Sequence, residues 1–343
     1  MLDALNRRRR DGPPQPDDDE RTIEIEESDL AIFRPLKMHG LLHTDYLYHY
    51  WQRHHSDLTR FRKRLTKLYN GVCAHPEHRK RNIPLDEHGK KIWTHTCVPI
   101  RYLTRDPDQE ENKYYGRGNS LVYGLTSRAE DELDAAGLAL KHEFRRSNSY
   151  IHDFGLACVT ASFELQARKF WSREAIIGFQ KAGKYRCPAE TRAEDAPFYF
   201  LAGTEHIYPD DIFGNEYEEG KSRYFFLEFD RAQKAVRADR SKTPENTIEY
   251  TLKAYQRILD TESYKRLGIP NISILITTTL DSKMRRMMQC VREVIEERYQ
   301  SHFLFKTFPI FGKPWRTPKE LLPVMTGWID ANGREQDISK KAP

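Results

Sequence analysis

Two β-rich stretches separated by a polar turn constrain this chain more than any other feature. Tyr208-Pro209-Asp210-Asp211-Ile212-Phe213 and Tyr224-Phe225-Phe226-Leu227-Glu228-Phe229-Asp230 lie either side of a Glu218-Glu219-Gly220 tip. Aromatic and β-branched runs broken by a glycine-containing tip read as a hairpin. A turn near Glu219 sets Asp210 opposite Glu228. The two-residue period of a strand then puts Asp230 on the face of Glu228 and sends Phe229 to the other. Like charges directly opposite across a ladder repel. A fold that gathers them either uses them, for a divalent cation or a shared proton, or leaves them solvated at the hairpin's end.

At 343 residues the chain can bury a full core and divides most naturally into two domains. Hydrophobic residues make up 38% and charged residues 31%, and no apolar run approaches the ~18 residues that span a bilayer. The basic residues within Met1–Arg10 are followed by no apolar segment, so no secretory signal is expected. Cys73, Cys97, Cys158, Cys187 and Cys290 are scattered and form no disulfide framework, which points to a reducing cytoplasm. The net charge of +5 is unevenly spread. Residues 1–28 hold five Arg and nine Asp/Glu, whereas residues 29–120 hold seventeen Lys/Arg against ten Asp/Glu. A basic surplus in the first folded region is the electrostatic footprint of a nucleic-acid-binding surface, although a solvated face has it too.

Residues 1–28, with Pro13, Pro14, Pro16 and Asp17-Asp18-Asp19-Glu20, are too polar to offset ordering entropy and are expected to be a disordered tail. Residues 29–140 read as three short helices and then strands. The helices are Leu30–Met38, one after a Thr44 cap with Leu47, Tyr50 and Trp51 inward, and one from Ser56 or Asp57 to Tyr69. On the third, Leu58, Phe61, Leu65 and Leu68 share a face, while Arg60, Arg62, Lys63, Arg64 and Lys67 lie outside it, and Asn70-Gly71 ends it. Lys113 to Asn119, including Arg117, then leads into the strand Leu121–Leu125. Helix, turn, basic helix and basic wing form the pattern of a winged helix-turn-helix, whose third helix enters the major groove of duplex DNA while wing cations lie along phosphates. A small helical domain with a charged face is the plainer alternative.

Residues 148–310 form the second domain, with 311–343 as a C-terminal extension. Its order is a helix over 151–169, strands at 170–177 and about 198–201, then the carboxylate hairpin. A helix follows, capped by Thr243 with Pro244 next and Ile248, Leu252, Tyr255 and Leu259 on one face. After it come a strand over 272–278, a helix over 283–298 and a last strand at Phe303-Leu304-Phe305. The methionines of that last helix (Met284, Met287, Met288) are read as core. The whole is α/β with a mixed sheet in αβββαβ order. That order, with Pro209-Asp210 opening one strand and Glu228 on the next, resembles the PD-(D/E)xK, restriction-endonuclease-like fold. In such nucleases two carboxylates hold Mg²⁺, which polarises the phosphate and generates hydroxide, and a lysine orients the nucleophile. Here Asp210 and Glu228 are the candidate Mg²⁺ ligands and Asp210, Glu228 and Asp230 the candidate catalytic set. Asp230 stands in the lysine slot. Glu164 and Glu174 are candidates for a further ligand and Lys234 for the missing ammonium, while Lys253 points away from its helix's apolar face.

Longer stretches resemble the plasmid replication-relaxation protein family. They are Tyr208–Gly214, Tyr224–Arg231, Leu42–Leu47, Arg64–Tyr69, Leu121–Thr126, Ile151-His152 and Ile274–Thr279, in order over about residues 30–300. The resemblance implies a winged-helix DNA-binding half joined to a nuclease-like half, acting in plasmid or mobile-element replication, relaxation or mobilisation, with replication or relaxase proteins as partners. The chain departs from the family where Ala232-Gln233 replaces Gly-Thr after Glu-x-Asp-Arg, and where Thr251 takes a helix lysine's place. The reading is therefore a DNA-binding protein with a degenerate nuclease-like domain. Its alternatives are an Mg²⁺-dependent nuclease or nickase, and a winged-helix transcriptional regulator whose second domain forms a homo-oligomer. Cys73, His75, His78, His95 and Cys97 have zinc-compatible chemistry without the spacing of a standard module, and polar wing residues are the simpler reading. His152, heading its helix, either caps it or reaches the carboxylates.

Overall fold

The chain is a mixed α/β protein. The computed structural model describes residues 23–73, 87, 99–105, 121–140, 149–182, 200–202, 205–238, 244–312 and 316–340. They divide into two compact units, residues 1–140 and 141–343. The expected tail over 1–28 lies outside the described residues up to position 22. No helix among the described residues is long and apolar enough to cross a membrane.

The first unit opens with α1 (Glu27–His39), whose start is fixed by a reciprocal box in which the Glu26 amide donates to Asp29 Oδ2 at 2.9 Å. A short strand, β1 (Leu42–His43), leads into α2 (Thr44–Trp51). The expected Thr44 cap is corrected: His43 accepts from the Asp45 amide, and the Thr44 hydroxyl donates instead to the Leu121 carbonyl at 3.0 Å. Helix α3 (Leu58–Asn70) is capped by Asp57, which accepts from the Thr59 and Arg60 amides at 2.8 and 3.1 Å. Its Phe61, Leu65 and Leu68 are fully buried, with the Phe61 ring against that of Trp51, each contributing about 1.5–3 kcal/mol through burial. Gly71 ends it in a left-handed conformation (φ 72°) and cannot be replaced by a larger residue, since a Cβ there would lie 2.3 Å from the Ile100 carbonyl oxygen.

Next, β2 (Val72–Cys73) pairs with β3 (Pro99–Ile100). Then β4 (Leu103–Thr104) and β5 (Val122–Leu125) join β1 in an antiparallel sheet of order β1-β5-β4, and α4 (Ser127–Ala135) follows.

The second unit is built on a seven-stranded mixed sheet. Helix α5 (Tyr150–Gln166) precedes β6 (Phe170–Trp171) and α6 (Arg173–Ala182). The strand expected over 170–177 is thus only two residues long, because Ser172 turns the chain into a helix and its hydroxyl accepts from the Ala175 amide at 3.4 Å. β7 (Phe200–Ala202) and β8 (Glu205–Ile207) form a separate ribbon. The hairpin β9 (Asp211–Glu218) and β10 (Lys221–Asp230) has the register expected for a turn near Glu219, with Asp211 beside Leu227 and Phe213 beside Phe225. Helix α7 (Ile248–Asp260) crosses over to β11 (Ser273–Thr278), parallel to β10. Its cap is Thr247, not Thr243, because Pro244–Asn246 makes a tight 3-10 turn first.

Helices α8 (Asp281–Val294) and α9 (Glu297–Gln300) precede β12 (Phe303–Thr307), parallel to β11. It is not the last strand, for β13 (Trp328–Asp330) and β14 (Glu335–Gln336) extend the sheet to β14-β13-β12-β11-β10-β9-β6. One face buries Ile212, Phe226, Ile274 and Phe303 against α6, α7 and α8, including Met287 and Met288, which are core as expected. On the other, Phe163 of α5 packs on Phe213, Phe225 and Trp328. The helix layers thus leave the carboxyl ends of three parallel strands as the place where polar side chains collect.

Candidate functional site

In the first unit, Arg60, Arg62 and Lys63 are exposed on α3, and Lys67 is half-buried. Arg64 differs from them. Its guanidinium grips the fully buried Asp29 carboxylate through Nε at 2.9 Å and through Nη2, bonds the Glu24 carbonyl, and lies 3.7 Å from Glu26. Arg60 is also 3.7 Å from Glu26, at the surface. Arg64 therefore ties α1 to α3, and the outward basic face is carried by Arg60, Arg62, Lys63 and Lys67. Arg117 lies outside the described residues, as do His75, His78, His95 and Cys97 of the zinc candidates.

A group without any sequence signature stands at the root of the β4–β5 connection. The Arg105 guanidinium lies 3.8 Å above the Tyr69 ring and donates to the Tyr123 hydroxyl at 3.1 Å. Stacking of this kind stabilises by about 0.5–2 kcal/mol and fixes the guanidinium's plane.

In the second unit the paired positions of β10, β11 and β12 form successive layers. Phe226, Ile274 and Phe303 make an apolar layer, Glu228, Ile276 and Phe305 follow, and Asp230, Thr278 and Thr307 make a polar layer at the carboxyl ends. Asp210 stands just before β9, one pair beyond Asp211–Leu227, where the register sets it opposite Glu228. Its Oδ2 accepts from the Phe229 amide at 2.8 Å and lies 3.3 Å from His152 Nε2 in the first turn of α5. His152 Nδ1 is 3.2 Å from Asp153 Oδ1. Burial opposes a charge on this imidazole, but the hydrogen bonds and charges of Asp153 and Asp210 outweigh it and push its pKa up to about 10. His152 is thus an imidazolium at neutral pH, and of its two readings the one that reaches the carboxylates is realised.

Glu228 accepts a 2.5 Å hydrogen bond from the Tyr255 hydroxyl of α7. Burial of its carboxylate, reinforced by the Asp210 charge, raises its pKa to about 8 against the weaker pull of Lys234, Tyr255 and His152. Asp230 turns elsewhere: Oδ2 is 3.4 Å from Lys283 Nζ of α8, and Oδ1 accepts from the Lys234 amide at 3.3 Å. The tandem Asp211, which has no place in the sequence motif, forms a buried pair with Arg173 at 2.5 Å, while Arg173 Nη2 bonds the Asp210 carbonyl and so fixes the Asp210-Asp211 step. Lys253 is exposed and pairs with Glu249 at 2.6 Å, as its helical position implies.

Among the described residues no three His, Cys, Asp or Glu side chains gather into a metal-holding group, so Glu164 and Glu174 complete no cluster with Asp210 and Glu228. Those two still suit a hard divalent cation. Asp210 Oδ1 and Glu228 Oε2 carry no hydrogen bond among the described residues, and Mg²⁺ is commonly held by one or two carboxylates together with waters and substrate phosphate. The site combines a proton-holding carboxyl, a carboxylate and an imidazolium at the end of a sheet, a set suited to proton transfer or to binding a phosphate through a cation.

Comparison with protein-family models, curated proteins and solved structures finds no match to this chain.

Proposed function

We propose that this chain is a DNA-binding protein of the replication-relaxation kind, with a winged-helix first unit and a nuclease-like second unit whose motif is degenerate. The order β1-β5-β4 behind α3 carries the reading. In a winged helix the strand before the second helix pairs with the last strand of the wing, leaving the third helix free to enter the major groove. Here that helix turns its apolar side to the core and Arg60, Arg62 and Lys63 to solvent. In the second unit, helix, antiparallel hairpin, crossover helix and parallel strand follow the nuclease-like order, with Asp210 and Glu228 at the motif positions. The backbone at Ala232 supports the family resemblance. It is left-handed (φ 60°), and the family pattern has glycine there, the residue that adopts such a conformation without strain.

Degeneracy follows from Asp230, which occupies the lysine slot and is itself neutralised by Lys283. A salt titration of duplex affinity tests the DNA-binding reading. The slope should be steep, and it should flatten by about 0.9 for each phosphate that loses its cation when Arg62 and Lys63 become Ala. Salt-independent binding, or none, overturns it.

A second reading, the Mg²⁺-dependent nickase, is favoured by Glu228, whose raised proton affinity is what a divalent cation beside Asp210 would reverse. When bound, Mg²⁺ would supply Lewis-acid polarisation of a phosphate. Asp210 and Glu228 would hold it, with His152 fixing the Asp210 carboxylate. Supercoiled plasmid incubated with Mg²⁺ or Mn²⁺ decides. Nicking that is lost in both Asp210→Ala and Glu228→Ala establishes the enzyme, and intact plasmid in every condition refutes it.

A further inference from the structure

The chain enters α1 by running alongside α3, and it is fastened there. The Ile23 side chain is buried, and the Glu24 carbonyl accepts from Arg64 Nη2. Glu26 stands 3.7 Å from both Arg60 Nη2 and Arg64 Nη1. These arginines begin a cationic stripe. Lys63 and Lys67 lie three and seven positions after Arg60, within about 60° of it round the helix, whereas Arg62 is about 160° away. Like charges three and four positions apart on a helix repel. Glu26 and Asp29 offset the arginine end of the stripe, while neither Lys63 nor Lys67 has an ion-pair partner among the described residues. Just upstream the sequence reads Asp17-Asp18-Asp19-Glu20. Glu20 is four positions from the fastened Glu24 and Asp17 is seven, so a fully extended chain keeps these carboxylates within about 14–25 Å of that anchor. So short a tether gives an effective concentration of millimolar order, enough for surface ion pairs that are individually weak to form together.

We propose that Asp17–Glu20 docks on the Arg60–Lys63–Lys67 stripe of α3 and competes there with DNA, so that the chain carries its own inhibitor. This segment is the occupant because its four consecutive carboxylates complement cations that the described residues leave uncompensated, and because the anchors at Ile23 and Glu24 start it on that side of the helix. The Arg62 side stays open. The competition, though not the docking, rests on the DNA-binding reading of α3.

Zero-length carbodiimide cross-linking of the full chain, read by mass spectrometry, tests the docking. Links from Asp17–Glu20 to Lys63 or Lys67 should form at low salt and be lost at about 0.5 M, where screening acts over a few ångströms. Duplex affinity tests the competition. A variant carrying Asp17→Asn, Asp18→Asn, Asp19→Asn and Glu20→Gln should bind about fivefold tighter than wild type at about 50 mM salt and less than about twofold tighter at about 300 mM. The gain should vanish when Lys63→Gln and Lys67→Gln are added and persist when Arg62→Gln is added instead. A gain that survives Lys63→Gln and Lys67→Gln is general repulsion between the acids and DNA, and it overturns the docking, as does the absence of the cross-links at low salt. Unchanged affinity in the neutralised variant overturns the competition. If neither wild type nor any variant binds duplex, the DNA-binding reading fails and the competition with it, while the cross-links still decide the docking.

Discussion

Arg64 provides the sharpest separation between holding the fold and touching DNA. Its side chain is 13% exposed and its partner Asp29 is fully buried. Arg64→Ala leaves that carboxylate with the Glu26 amide as its capping donor, at 2.9 Å. Removing one partner of a buried pair costs about 3–5 kcal/mol, and the surviving amide bond places the loss near the lower end, about 3 kcal/mol. For a unit of this size that lowers the melting temperature by more than about 10 °C. Arg62→Ala, on the exposed side of the same helix, should change stability by no more than about 0.5 kcal/mol while flattening the salt dependence of duplex binding. Urea unfolding of the two variants, with anisotropy on the same preparations, gives both quantities. Combining Arg64→Leu with Asp29→Asn should recover much of the lost stability, since no buried charge is then left unpaired. An Arg64→Ala protein within about 1 kcal/mol of wild type that nonetheless fails to bind DNA would refute the clamp and return Arg64 to the groove.

Glu228 and His152 both hold protons more tightly folded than unfolded, so folding takes up protons and stability must fall as pH rises. The Glu228 contribution is full below its ordinary 4.5 and lost through about 8, and that of His152 is full below 6.5 and lost through about 10. Urea midpoints followed from about pH 5 to pH 9 should therefore decline, and Glu228→Gln should flatten the decline below pH 8; an unchanged profile in that variant would count against the buried proton. Ala232→Gly should stabilise by about 0.5–1 kcal/mol, because relief of ~1–2 kcal/mol of left-handed strain exceeds the added chain entropy. A lowered melting temperature would contradict it. In Gly155→Ala the new Cβ would fall 2.4 Å from the Phe229 ring, and the ring cannot retreat freely past His152 and Phe311. The expected loss is about 1–3 kcal/mol in calorimetry, and a neutral result would mean that the ring relocates.

Periodicity recovered what periodicity controls. The hairpin register, the inward faces of α3 and α7 and the buried methionines all follow from which residues share a side of an element, and a turn near Glu219 was enough to set Asp210 opposite Glu228. Pairings between distant elements were not legible. Asp29 and Arg64 are thirty-five positions apart, as are many non-partners, although Arg64 lies three residues beyond Phe61, only about 60° round the helix from a core position. That angle was the available signal. Helix α6 was hidden because Phe170, Trp171, Ile176 and Ile177 are β-rich in composition, while the Ser172 hydroxyl that starts the helix is one small residue among them. β13 and β14 escaped because strands of two or three residues carry too few alternations to show a period, even though Trp328 is completely buried. At the pocket the acids were visible in the motif. The roles of Lys283 and Arg173 depend on helices folding back over the sheet.

The β2–β3 ribbon has a consequence for how this molecule can vary. Val72 and Cys73 lie beside Ile100 and Pro99, and the Gly71 backbone touches the Ile100 carbonyl. The chain thus departs from the end of α3 and returns to the same point before continuing to β4. Whatever runs between is attached like a bead on a closed clasp. Doubling its length adds only about 0.6 kcal/mol of closure entropy, and shortening it to a tight turn leaves α3 and β4 joined as before. A change of length in that stretch should therefore leave the helix that precedes it in place.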